Sequence, residues 1–197
     1  MSRLFTAVWP PSPAVAELHG ALVADDGWPP EGWRSIPLQR WHLTLCFHGE
    51  ADPGILARRL ETEAGGAEAP WLRLASSVSF AHVIAAEVHA EPGTGLAALV
   101  VAAGGDPGAY RPHVTVARTA RRGDAPPRGG PLAGFVGSWW RPEEICLVRS
   151  ELVSGGPRYT VLHRVPLQVD PALAARAEQP AAAETPHRAP TRCPGGL

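Results

Sequence analysis

Lysine does not occur in this chain; all 18 of its cationic residues are arginine. No step can therefore run through a lysyl adduct or a Schiff base, which excludes ligase chemistry of the covalent lysyl kind. The many Ala, Gly and Pro residues point to genomic base composition as the origin of the bias. Its physical consequence is that every fixed cation is a planar fork, suited to phosphate and to stacking on bases. Cysteine is scarce as well: Cys46, Cys146 and Cys193 are odd in number and form no CxxC, so neither a disulfide framework nor a zinc knuckle is expected. No run of about 18 apolar residues could span a bilayer, and residues 1–13 hold no apolar run of signal-peptide length. A soluble cytoplasmic protein is expected. Net charge is also small, at −1, so there is no global basic field to hold a long nucleic acid. A nucleic-acid substrate would be gripped locally, at an end or at one phosphate.

What is present is enough apolar residue, 45%, to build a sizeable core within 197 residues. That length suits one domain or two small lobes sharing a core. Residues 4–9 read as a strand closed by Pro10 and Pro11. Ser12 stands as an N-cap with Pro13 in the first turn of a helix carrying Val15, Leu18 and Leu22. Residues 41–47 read as a strand, and Asp52–Pro53 opens a second helix that Gly65–Gly66 stops. Residues 71–80 and 82–89 suggest a hairpin. Thr94 is a candidate cap for a third helix with Leu96, Leu99 and Val100 on one face. Residues 112–118, 144–152 and 159–169 supply three further strands. Residues 119–131 read as a flexible basic loop, and its Arg121, Arg122 and Arg128 read as solvated. The domain is expected to occupy 1–169, and 170–197 reads as a disordered Ala/Pro/Arg-rich tail.

One internal repeat carries chemistry. Trp41-His42-Leu43-Thr44-Leu45 resembles Pro112-His113-Val114-Thr115-Val116, about 70 residues on. Strand side chains alternate, so His42 shares a face with Thr44, and His113 with Thr115, while Leu43, Leu45, Val114 and Val116 turn to the core. If the two copies face one another around a pseudo-twofold axis, two imidazoles and two hydroxyls converge in one groove. That set suits a phosphodiester. Histidine titrates near neutral pH and can serve as acid or base, and threonine hydroxyls can donate to phosphoryl oxygens as they gain charge. No HExxH or Asp-rich cluster appears. His82 and His89, seven residues apart on a strand, would be about 23 Å apart on opposite faces. No metal or other cofactor is expected.

These motifs resemble the two-histidine (2H) phosphoesterases, and within them the bacterial and archaeal RNA 2′,3′-cyclic phosphodiesterases, also called 2′-5′ RNA ligase-like proteins. The resemblance rests on Arg3-Leu4-Phe5 with Pro10, on residues 41–50, on Arg111-Pro112-His113-Val114-Thr115-Val116-Ala117-Arg118, and on Ser150 and Arg158-Tyr159-Thr160-Val161-Leu162. It implies an α+β, bilobal, duplicated fold whose two antiparallel sheets form a central groove with helices outside. It implies hydrolysis of an RNA 2′,3′-cyclic phosphate to a 2′-phosphomonoester, and in some members the reverse joining of ends through a 2′-5′ bond. His42 would be the proton donor, His113 the proton acceptor, and Thr44 and Thr115 would hold phosphate oxygens. Arg118, Arg111, Tyr159 and Phe5 are candidate substrate contacts. His48 stands where the family commonly has leucine and reads as a strand-end surface residue. The partner would be an RNA end bearing a cyclic phosphate, and a monomer without membrane contact is expected. Two alternatives stand: a 2H enzyme for another small cyclic phosphate, such as a nucleoside or ADP-ribose derivative, and a non-catalytic RNA-end-binding module.

Overall fold

The computed structural model describes residues 2–80, 82–119, 131–154 and 156–169. The tail at 170–197 and the arginines of the 119–131 loop lie outside the described residues. In chain order the elements are β1 (Ser2–Val8), α1 (Ser12–Val23), β2 (Trp33–Ser35), a 3-10 turn (Leu38–Arg40), β3 (Leu43–Gly49), α2 (Pro53–Ala64), β4 (Trp71–Phe80), β5 (Val83–Glu91), α3 (Gly93–Ala102), β6 (His113–Thr119), β7 (Glu144–Val153) and β8 (Gly156–Pro166).

Helix starts depend on proline more than on hydroxyl caps. α1 is preceded by Pro11, not Ser12, in the cap position, with no side-chain cap bond. Pro11 locks the extended backbone and Pro13 pre-sets the first turn, so no hydroxyl is needed. α3 likewise begins after Pro92, which places Thr94 inside its first turn. Only α2 starts as its sequence suggests: Asp52 Oδ1 accepts from the amides of Gly54 (2.7 Å) and Ile55 (3.0 Å). Each helix buries one stripe, Ala14, Leu18 and Leu22 in α1 and Leu96, Leu99 and Val100 in α3. Full burial of such a leucine is worth roughly 1.5–3 kcal/mol. Among the described residues no helix is long and apolar enough to cross a membrane.

The strands run β4-β5-β6-β3-β1-β7-β8, with β2 paired to β6, and every named pairing is antiparallel. One half is β3-β1-β7-β8; the other is β4-β5-β6 with β2. The two expected sheets meet edge to edge through one paired position, Leu43 opposite Val114. Hydrogen bonding thus runs through all eight strands, and that single pair joins the two halves. The helices pack on one face, over a core that includes Leu18, Leu43, Leu99, Val114 and Ile145. The other face of the first half carries a small separate apolar cluster of Phe5, Ala7, Cys146 and Val148, with Trp9, Tyr159 and Val161 against it. That second face lines the groove.

Candidate active site

Leu43 and Val114 are the middle residues of the two His-x-Thr motifs, so their pairing sets the two motifs side by side. In antiparallel register His42 then lies across from Thr115, and Thr44 across from His113. Ideal sheet spacing from that one pair, two residues along the strands and one strand across, corresponds to a diagonal of about 8 Å between the two histidine Cα atoms. Leu43, Leu45, Val114 and Val116 are buried beneath, as alternation requires, and His42, Thr44, His113 and Thr115 all line one cavity of about 710 Å³.

Both imidazoles are held by the same device. Nδ1–H of His42 donates to the Arg40 carbonyl at 2.6 Å, and Nδ1–H of His113 donates to the Arg111 carbonyl at 2.7 Å. A carbonyl can only accept, so each ring keeps its Nδ1 proton and Nε2 is the nitrogen that exchanges one. The repeat is therefore longer than His-x-Thr. It begins with an arginine two residues upstream, and the backbone of that arginine fixes the tautomer.

A second shared device lies just beyond each threonine. β3 pairs Ala7 with Thr44 but Thr6 with Cys46, and β6 pairs Ala85 with Thr115 but Ile84 with Ala117. Leu45 and Val116 are thus extra residues, each a one-residue bulge. A bulge resets the alternation, so the third residue after each threonine returns to the groove face. Those residues are Phe47 and Arg118, and both line the cavity. The bulge at Leu45 is met by Tyr110, whose part-buried hydroxyl donates to the Thr44 carbonyl at 2.9 Å. Burial holds that phenol well above its ordinary pKa, so it stays a donor.

The surroundings of the two rings differ. His42 lies among Phe5 (5.0 Å between centroids), Trp9 (5.3 Å) and Tyr159 (5.3 Å). Burial pushes its pKa down to about 4, with the Arg118 and His113 charges acting in the same direction and the Arg40 carbonyl against it. His113 has one aromatic neighbour, Phe80, edge-on at 5.0 Å.

The candidate contacts divide. Arg118 and Tyr159 line the cavity; Arg111 does not, and reaches the site through its carbonyl alone. Phe5 lines the cavity but is only 3% exposed, its ring taken up by His42, Tyr159 and Phe47. Phe47, which the sequence reading passes over, is 77% exposed. Arg3 and Arg40 also line the cavity, beyond the contacts expected from the sequence. Arg40 had a signal, since it repeats the spacing of Arg111 before its histidine. His48 is not the surface residue expected. It is half-buried, 2.8 Å from the Thr6 hydroxyl and beside Cys46, and is not among the groove residues. Among the described residues no group of three or more His, Cys, Asp or Glu side chains is placed to hold a metal ion.

No family model matches the chain. A curated relative from Thermus thermophilus, named RNA 2′,3′-cyclic phosphodiesterase, is 36% identical over 190 residues, spanning 84% of this chain and 90% of its own length. Among solved structures, TT0787 of Thermus thermophilus superposes with a TM-score of 0.60 at 30% identity, covering 83% of this chain and 97% of its own. Escherichia coli LigT complexed with phosphate gives 0.63 at 25% identity, over 85% and 98%. With the duplicated motifs meeting in one groove, these likenesses fix the family: the chain belongs to the RNA 2′,3′-cyclic phosphodiesterases of the two-histidine phosphoesterases.

Proposed function

We propose that this chain hydrolyses the terminal 2′,3′-cyclic phosphate of an RNA end to a 2′-phosphomonoester. Water attacks phosphorus and gives its proton to His113 Nε2. The bond from phosphorus to the 3′ oxygen breaks, and His42 Nε2 protonates that oxygen. Thr44 and Thr115 donate to the two non-bridging oxygens, where charge builds in the transition state. With the 5′ hydroxyl of a second RNA end in place of water, the same relay joins the two ends through a 2′-5′ bond: His113 takes the hydroxyl proton, the bond from phosphorus to the 3′ oxygen breaks, and His42 protonates that oxygen. The observation that carries this reading is the matched pair of imidazoles. Each is pinned by Nδ1 to a carbonyl two residues upstream, and both stand on one groove around a single paired position.

The donor role asks something of His42. Burial leaves it neutral in an empty groove at pH 7, with a pKa of about 4. The bound phosphate supplies the negative charge that favours the protonated ring, so substrate binding takes up a proton there.

All four motif side chains come from one chain, so the groove needs no second copy, and we read the enzyme as a cytoplasmic monomer. Residues 1–169 form its whole catalytic unit in this reading, so truncation after Val169 leaves turnover unchanged.

The test is incubation with an oligonucleotide ending in a 2′,3′-cyclic phosphate, followed by identification of the product isomer. A 2′-phosphate is expected. A 3′-phosphate reverses the leaving-group assignment, and tight binding with no turnover makes the protein an RNA-end binder instead.

A further inference from the structure

The groove is larger than its reacting corner, and its far part has a chemistry of its own. Arg3 pairs with Ser150 across β1–β7, and Ser150 pairs with Tyr159 across β7–β8. Directly paired residues point to one face of a sheet, so these three form a row, and all three line the groove. Phe5 lies two residues further along β1, about 6.6 Å nearer the motifs, with its ring against His42. Arg40 reaches toward the same outer region. Its Nη1 would be 3.0 Å from a Cβ at Gly156, where φ is +111°, so the guanidinium passes close over that glycine.

Three arginines, Arg3, Arg40 and Arg118, line the groove, and among the described residues no Asp or Glu does. Nor does any of the three have an ion-pair partner among those residues. Arg141, Arg158 and Arg164, outside the groove, meet Glu68, Glu151 and Glu144. Arg118 stands on the β6 side, three residues past Thr115, which leaves Arg3 and Arg40 without a task in the cyclic-phosphate reaction. Among the described residues the other half offers no equivalent path. Glu87 is paired across from His113 and is half-exposed, so an anionic strand leaving that way would meet a carboxylate.

We infer that Arg3, Ser150 and Tyr159, with Arg40 above them, form a second phosphate subsite. It receives the phosphodiester on the 5′ side of the terminal nucleotide, so the RNA body leaves over the β1-β7-β8 face. This rests on the reading of the groove as a cyclic-phosphate site, and it adds both a polarity and a minimum substrate. The preferred substrate carries at least one internucleotide phosphate beside the cyclic one. Arg3 and Arg40 supply charge-assisted donors, and the Ser150 and Tyr159 hydroxyls complete the cradle.

The experiment compares kcat/KM for a dinucleotide ending in a 2′,3′-cyclic phosphate with that for the matching nucleoside 2′,3′-cyclic phosphate. The dinucleotide is expected to be better by tenfold or more. In Arg3→Gln that ratio should fall about tenfold, the usual weight of a hydrogen bond to a charged group. In Ser150→Ala it should fall by less. Because the readout is a ratio within each folded variant, a general loss of activity cancels. A wild-type ratio near one, or a ratio that survives Arg3→Gln, overturns the subsite and leaves the hydrolase standing. Failure of the wild type to hydrolyse either compound removes the parent reading and the subsite together.

Discussion

The two halves of the site use one backbone design to make unequal environments. In both, an upstream carbonyl pins Nδ1, a threonine stands two residues on, and a bulge re-aims the third residue after it. What differs is what is packed around that design. The first half surrounds its imidazole with three aromatic rings and presents Phe47; the second leaves one ring beside its imidazole and presents Arg118. What the halves share is geometry, which the proposed proton transfer needs on both sides of phosphorus. In the proposed reaction the neighbours set basicity and divide substrate binding between a ring and a cation.

The strongest way to break this comparison is to remove the two imidazoles separately and together. His42→Ala and His113→Ala should each lower turnover by about 10²–10⁴ with the fold intact. If they act on one transition state, the double variant should be little worse than either single one. Losses that multiply would mean two independent sites. The next effect is smaller and separates Phe47 from Arg118. Phe47→Ala removes a surface for base stacking, worth roughly 1–3 kcal/mol per base. Arg118→Ala removes a charge and should weaken binding about tenfold. Only the arginine variant should flatten the dependence of KM on salt. Equal salt slopes in the two variants would erase the proposed division.

The unequal burial also has a sign that can be measured. The folded pKa of His42 is below its unfolded value, so the unfolded chain binds the extra proton first. The stability this ring permits is present above about pH 6.5 and is lost as pH falls toward 4. Trp9→Ala should admit water, move the His42 NMR titration upward and reduce that loss. A His42 midpoint near 6.5 in the wild type would show that the rings do not desolvate it.

The motif residues and their faces are legible in the sequence because alternation within His-x-Thr needs no knowledge of the partner strand. The same rule misplaces the residues beyond each threonine. Counted strictly, Arg118 falls on the face of Val114 and Val116, away from His113, and Phe47 falls with Leu43 and Leu45. The bulges at Leu45 and Val116 reverse this, and a bulge is a property of the pairing, set by β1 and β5. The one local trace is the pair of apolar residues after each threonine, Leu45-Cys46 and Val116-Ala117. β2 is illegible for another reason: its three residues, Trp33–Ser35, are too few for any period. The caps of α1 and α3 misled because a serine or threonine near a proline satisfies two rules at once, and the proline's fixed backbone decided both.

The smallest expected effect tests whether the halves are coupled through backbone as well as through substrate. Tyr110 lies just before the second motif, yet its hydroxyl serves the Thr44 carbonyl in the first. Tyr110→Phe keeps the ring and removes that one hydrogen bond, leaving a carbonyl beside the bulge without its donor. Stability should fall by about 1 kcal/mol. Turnover should fall by less than tenfold with KM unchanged, because Thr44 is then aimed less well at an oxygen that gains charge only in the transition state. A purely structural role would give the same loss of turnover whether or not the Thr44 hydroxyl is present. A positioning role predicts that the loss vanishes in a Thr44→Val background, where there is no hydroxyl left to aim, and persists in Thr115→Val.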